Sequence, residues 1–224
     1  MKKFYENYKH AVPLIVYFII YLAWFSHLEQ TVTNDYQIIH TFIDDYIPFC
    51  ELFVIPYFLW FGYVSVTVLY FLFKDKNDYY KTCTFLFTGM TIFLIISTLF
   101  PNGHDLRLVQ MPRDNIFIRM VSGLWATDTA TNLWPSIHVY NSLGAHFAIA
   151  KSSHFENKKG IRIGSLILCV SIILSTMLIK QHSVFDVFTA FIMAFIMYLV
   201  VYRYDVLLAM RRRRAESKSK PQIG

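Results

Sequence analysis

The sequence predicts an all-α protein, a six-transmembrane helical bundle with its chemistry at the extracytoplasmic ends of the helices. Three observations predict it. Of 224 residues, 55% are hydrophobic and only 16% charged, where a soluble domain carries about 25% charged residues. Six long stretches run almost free of Asp, Glu, Lys and Arg. Threading them across a bilayer puts 17 of the 21 Lys and Arg residues on one side, as the positive-inside rule requires. Ordinary cytosolic enzymes, collagen, disulfide scaffolds and low-complexity chains are excluded.

The first stretch, Ala11–Leu28, follows Lys2, Lys3 and Lys9. No small-residue cleavage site comes after it, so it reads as a retained span and not a signal peptide. Next come Leu52–Phe73, Thr82–Asp105 (shortened by its charged end), Thr129–Ala150, Ile163–Ile179 and Val187–Tyr202, the last two short without their flanks. A span needs about 20 apolar residues, and 55% of 224 residues supplies six with little left over. None of the stretches alternates with period two, so they read as helices. Residues 1–210 form one membrane domain, and 211–224 reads as a disordered basic cytoplasmic tail.

With both termini in the cytoplasm, the inner face collects the basic residues and accounts for the pI of about 9.1 without nucleic acid. Arg211–Arg214 fits this topology, with an anionic-lipid patch as the sharper alternative. Cys50, Cys83 and Cys169 lie at different depths, which implies neither a disulfide nor a metal cluster.

The outer side keeps only Arg107, Arg113, Arg119 and Lys180. Its first loop, about 29–51, reads as a solvated acidic and aromatic segment without chemistry. Its second, 101–134, carries the three arginines with Asn102, His104, Asp114 and Asp128. Arginine holds phosphate through a bidentate fork. The run Asn132-Leu133-Trp134-Pro135-Ser136-Ile137-His138 opens the fourth stretch. With Asn132 as N-cap and Pro135 in the first turn, Ser136, Ile137 and His138 would offer backbone N–H groups to an anion.

Lys180-Gln181-His182-Ser183-Val184-Phe185-Asp186 leads into the sixth stretch. On a helix, His182 and Asp186 are i and i+4 and share a face, so the carboxylate would fix which imidazole nitrogen is free. The plainer reading is a capping Asp beside a bystander His. The 44 residues from His138 to His182 are one helix inward, a basic turn and one helix back. Both histidines therefore return to the outer face near Arg107. Such a set, with Ser136 and Lys180, has the roles of a phosphoryl-transfer site. His146 reads as a proton relay or a buried histidine bonded to a neighbouring helix, and Trp24 and Trp134 as an outer aromatic belt.

At these residues the chain resembles the membrane-bound type 2 phosphatidic acid phosphatase superfamily, which includes undecaprenyl diphosphate phosphatases, inositol phosphorylceramide synthases and sphingomyelin synthases. Pro135-Ser136-Ile137-His138 matches the pattern PSGH with Ile for Gly. Ser175, Thr176, His182 and Asp186 match SRxxxxxHxxxD with Thr for Arg, and KxxxxxxRP survives only as Arg107-Leu108, with Phe100 at the Lys position.

The resemblance implies catalysis by His182, His138 and Asp186. Phosphate would be held by Arg107 and Ser136, with Lys180 and Arg113 standing in for the missing cations. His182, oriented by Asp186, would form a phosphohistidine. His138 would protonate the leaving alkoxide and then activate water or an acceptor hydroxyl. No metal or other cofactor is called for. The implied partners are a membrane lipid substrate and the bilayer, with no nucleic acid; the oligomeric state stays open. A lipid phosphatase leads, and a lipid phosphotransferase with the same site is the nearest alternative. A zinc protein using His104, His138 and His182 and a non-catalytic transporter or scaffold are further ones.

Overall fold

The structure, a computed structural model, describes residues 9–33 and 35–205; the expected basic tail at 211–224 and both ends of the expected 1–210 domain, Lys2 and Lys3 included, lie outside them. Seven α-helices account for most of these residues: α1 Val12–Thr31, α2 Val54–Lys74, α3 Lys76–Leu99, α4 Ile116–Thr127, α5 Ile137–Lys151, α6 Lys159–Leu178 and α7 Val184–Tyr198, which runs on through Leu199–Arg203. Five helical segments are long and apolar enough to cross a membrane: Lys9–Thr31, Glu51–Lys74, Lys76–Leu99, Lys159–Leu178 and Val184–Arg203.

The third stretch starts six residues earlier than its charge-free run suggests, because Asp75 caps α3 by accepting from Asn77 and Asp78 N–H. Lys76, Asp78 and Lys81 then sit in its first turns. The fourth differs more. Its expected helix from Thr129 is irregular backbone as far as Pro135, and α5 is only 15 residues, about 22 Å at 1.5 Å per residue. Ten of those residues are buried, and α5 packs against α2, α3, α6 and α7 as the central helix. The irregular segment before it is itself largely buried, at Thr131, Asn132, Leu133 and Ser136.

Close approach of α3 to α5 depends on two glycines. A β-carbon on Gly89 would collide with the Tyr140 ring, and one on Gly144 would lie 2.6 Å from Phe85 Cδ1. The Phe85 and Tyr140 rings stack there at 4.7 Å, and Tyr140 Oη–H donates to the Phe85 carbonyl at 2.7 Å. Small residues that let helix backbones meet are the usual device for packing helices in lipid.

The helices run alternately up and down, so the end of α1, the start of α2, the end of α3 and the starts of α5 and α7 share one end of the bundle. There Gln37–Ile38 pairs in parallel with Asn102–Gly103, and His104 N–H donates to the Ala130 carbonyl at 3.0 Å. The second loop is not loop throughout, since α4 lies within it, N-capped by Asn115.

Nor is the first loop merely solvated. Asp44 is 1% exposed and accepts from Ser183 Oγ at 2.7 Å, Val184 N–H at 2.8 Å and both Thr41 donors. At the other end, Lys81 pairs with Asp205 at 2.7 Å. His146, half-buried, meets Ser165 Oγ of α6 through its Nδ1 at 3.0 Å.

Candidate functional site

The two histidines separated by 44 residues meet. His138 Nδ1 lies 3.3 Å from His182 Nε2, and His182 Nδ1 lies 3.4 Å from Asp186 Oδ2. The three side chains are 9%, 3% and 0% exposed, so the line of groups is shielded from bulk water.

The contact between His182 and Asp186 does not arise from a shared helix face. His182 precedes the helix: Ser183 is the N-cap of α7 and Asp186 occupies its N3 position, in a capping box. Ser183 N–H donates to Asp186 Oδ2 at 3.0 Å. Asp186 is therefore a capping residue and a neighbour of His182 at once. At α5 the N-cap is Ser136, not Asn132: its Oγ accepts from Val139 N–H, and Pro135 stands just outside the helix. Ser136 is buried, and its N–H donates to the Asp186 carbonyl at 3.3 Å, tying the starts of α5 and α7 together.

Arg107 is held over the same place by neutral acceptors. Its Nη1 donates to the Trp125 carbonyl, and its Nη2 to the carbonyls of Asp128 and Thr129 and to Gln181 Oε1 at 2.7 Å. Arg107 Nε is buried without a hydrogen-bond partner. Burial, and then the Arg107 charge, push the His182 imidazole down to about 3, against a smaller opposing pull from the Leu133 carbonyl. His182 is thus neutral at ordinary pH, as a nucleophilic imidazole has to be.

Two predicted phosphate ligands are held by other groups. Lys180, buried and with φ +56°, donates from Nζ to the carbonyls of Asp44 at 3.0 Å and Ile47 at 2.7 Å. Arg113 is exposed and pairs with Glu51 at 3.3 Å. Both are engaged by neighbours outside the histidine pair.

The chain also places residues that the motifs did not single out. Tyr57 and Trp60, one turn apart on α2, lay their rings against His138 at 4.6 and 4.3 Å. Gln181 is fully buried between Arg107, Asp128 and Tyr57. Burial, then the negative charge of Glu29, raise the Asp128 carboxyl to about 6, with Arg107 opposing. Glu29 itself accepts from Thr129 N–H and Asn132 Nδ2 and braces the irregular segment before α5. The spacing of Tyr57 and Trp60 on one helix face is a signal the sequence does carry.

His104 uses both ring nitrogens: Nε2–H donates to the Gln181 carbonyl at 3.0 Å and Nδ1 accepts from Leu106 N–H at 3.2 Å. Neither is left for a metal in this arrangement, and burial, then His182 and Arg107, push its pKa down to about 4. Among the described residues, no group of three or more His, Cys, Asp or Glu side chains has a metal-holding arrangement. No protein-family model, curated protein or solved structure matches the chain.

Proposed function

We propose that the chain is a metal-independent integral membrane lipid phosphatase of the type 2 phosphatidic acid phosphatase kind, hydrolysing a lipid phosphate or diphosphate through a phosphohistidine at His182. The observation that carries this reading is the continuous line from Asp186 through His182 to His138, with distances of 3.4 and 3.3 Å, beside the Arg107 guanidinium. Five membrane-length helices and the charge asymmetry support a membrane enzyme with six spans, α5 being the short fourth. They also support cytoplasmic termini and an extracytoplasmic site. An apolar groove of about 370 Å³ between α2 and α6, lined by Pro56, Leu59, Ile167 and Leu168 among others, suits a lipid chain.

Each group then has one task. Asp186, 3.4 Å from His182 Nδ1, draws the imidazole N–H to that nitrogen as substrate enters and leaves the Nε2 lone pair free. The rings part to admit the phosphoryl group, Nε2 attacks phosphorus, and the P–O bond to the lipid breaks. His138, having taken up the proton of the entering phosphate's acidic hydroxyl, gives it to the departing oxygen. Neutral His138 then takes a proton from water, whose oxygen displaces His182 and releases phosphate. Arg107 and the first N–H groups of α5 stabilise charge on the non-bridging oxygens.

Phosphate release from phosphatidic acid, phosphatidylglycerol phosphate and undecaprenyl diphosphate by the purified chain tests this. One of them is turned over in EDTA, vanadate inhibits, and His182→Ala is inactive; an equally active His182→Ala contradicts the reading. The near-complete burial of the histidines favours a second reading, transfer to a lipid alcohol, because a dry site protects a phosphoenzyme from water. A labelled phospholipid donor then yields a new phosphorylated lipid in place of free phosphate.

A further inference from the structure

Gln181 joins the cation of the site to both histidines. Its Oε1 accepts from Arg107 Nη2 at 2.7 Å, and its Nε2 donates to Asp128 Oδ2 at 2.9 Å and to Tyr57 Oη at 3.3 Å. The single acceptor and both donors of a primary amide are thereby used. The backbone holds the amide in place: Gln181 N–H donates to the Thr176 carbonyl at 2.9 Å, and the Gln181 carbonyl accepts from His104. The next residue is His182, and the ring of Tyr57 rests on His138.

Arg107 and the half-buried Asp128 carboxylate are near enough to influence each other's charge, yet none of the ion pairs among the described residues includes Arg107. The amide takes up the Asp128 oxygen on one side and the guanidinium on the other. An acceptor without charge orients Arg107 and leaves its positive charge available. A carboxylate at the same point would orient it and cancel that charge. Arg107 Nε, buried and without a partner, remains as a donor for an incoming oxygen.

Resting on the phosphoryl-transfer reading, we propose that Gln181 is the positioning residue that makes Arg107 the phosphate clamp of the site. It does so by separating the guanidinium from Asp128. The residue acts through Arg107 and sets anion affinity more than the rate of bond breaking. Two consequences follow. Gln181→Glu, which keeps the shape, weakens anion binding. Gln181→Met, which removes the spacer and lets Asp128 approach Arg107, weakens it too, and adding Asp128→Asn restores it.

The test uses the full chain in detergent and reads orthovanadate affinity from the vanadate-dependent rise in Tm, a measurement that needs no turnover. KM and kcat for phosphate release are measured in parallel, with His182→Asn as control. The proposal expects tenfold or greater loss of vanadate affinity in Gln181→Glu and in Gln181→Met, a matching rise in KM with kcat changed less, and recovery to within threefold in Gln181→Met/Asp128→Asn. It is overturned if the wild type shows no vanadate response, if both single variants keep wild-type affinity, or if the double variant stays as weak as Gln181→Met. Should Gln181→Glu fail to fold, the Met series decides. Persisting turnover in His182→Asn counts against the phosphohistidine reading alone, since the vanadate comparison stands without it.

Discussion

Asp186 Oδ2 accepts the Ser183 N–H at 3.0 Å and stands 3.4 Å from His182 Nδ1, so one carboxylate oxygen caps a helix and faces an imidazole. The two duties separate by substitution. Asp186→Asn retains an oxygen for the cap but loses the charge that orients and supports His182. Phosphate release is expected to fall by roughly two to four orders of magnitude, as for a triad carboxylate, with Tm in detergent little changed. Asp186→Ala loses the cap as well, costing about 1 kcal/mol more in stability. Equal activity of wild type and Asp186→Asn would remove the orienting role.

Asp44 clamps the start of α7 from a loop 139 residues away through Ser183 Oγ and Val184 N–H. Asp44→Ala leaves buried donors without a partner, at about 1–3 kcal/mol each, and a large loss of Tm is expected. Burial pushes the Asp44 carboxyl up, but the hydrogen bonds from Ser183, Val184 and Thr41 outweigh it and leave the pKa below its ordinary value. A depressed acid stabilises the fold above its unfolded pKa and loses that contribution as pH falls through the folded value. The Tm advantage of wild type over Asp44→Asn is therefore constant from pH 6 to about 4 and shrinks below it. An advantage that grows on acidification contradicts the clamp.

Arg107 and Lys180 are both buried or half-buried cations at the same end of the bundle, but their partners differ. Arg107→Ala removes a charge beside the histidines and is expected to raise KM tenfold or more. Lys180→Met frees the Asp44 and Ile47 carbonyls, lowers Tm, and moves KM less than threefold. A rise in KM for Lys180→Met as large as that for Arg107→Ala would return Lys180 to the phosphate site.

Asp128, raised to about 6 by burial and then by Glu29, is ionised above that pH and neutral below it. Ionised, it opposes Arg107 in attracting an anion. The KM of the wild type, divided by that of Asp128→Asn on the same substrate to cancel titration of the phosphate, falls toward one as pH drops from 7.5 to 5. A ratio independent of pH excludes Asp128 from the electrostatics of the site.

Much of this was legible because it is local. Charge-free runs mark helices, and two histidines on either side of a helical hairpin return to one end whatever the details. The capping box of Ser183 and Asp186 is also a sequence pattern, and it places the start of α7 after His182, which the i, i+4 argument does not. The length of α5 was not legible, because Thr129–Pro135 carries no charge beyond the preceding Asp128 to distinguish loop from span. The roles of Gln181, Asp44 and Lys180 depend on partners 53 to 140 residues away. No residue spacing encodes such contacts, and a lysine or aspartate in an outer loop looks the same whether it faces water or a buried carbonyl.

Rapid quenching of the purified chain with a ³²P-labelled lipid phosphate shows whether His182 carries the phosphoryl group. A protein-bound label that is stable to alkali, lost in acid, chased by unlabelled substrate and absent from His182→Asn is the predicted result. Steady turnover with no such label at any quench time, or the same label on His182→Asn, would contradict the account.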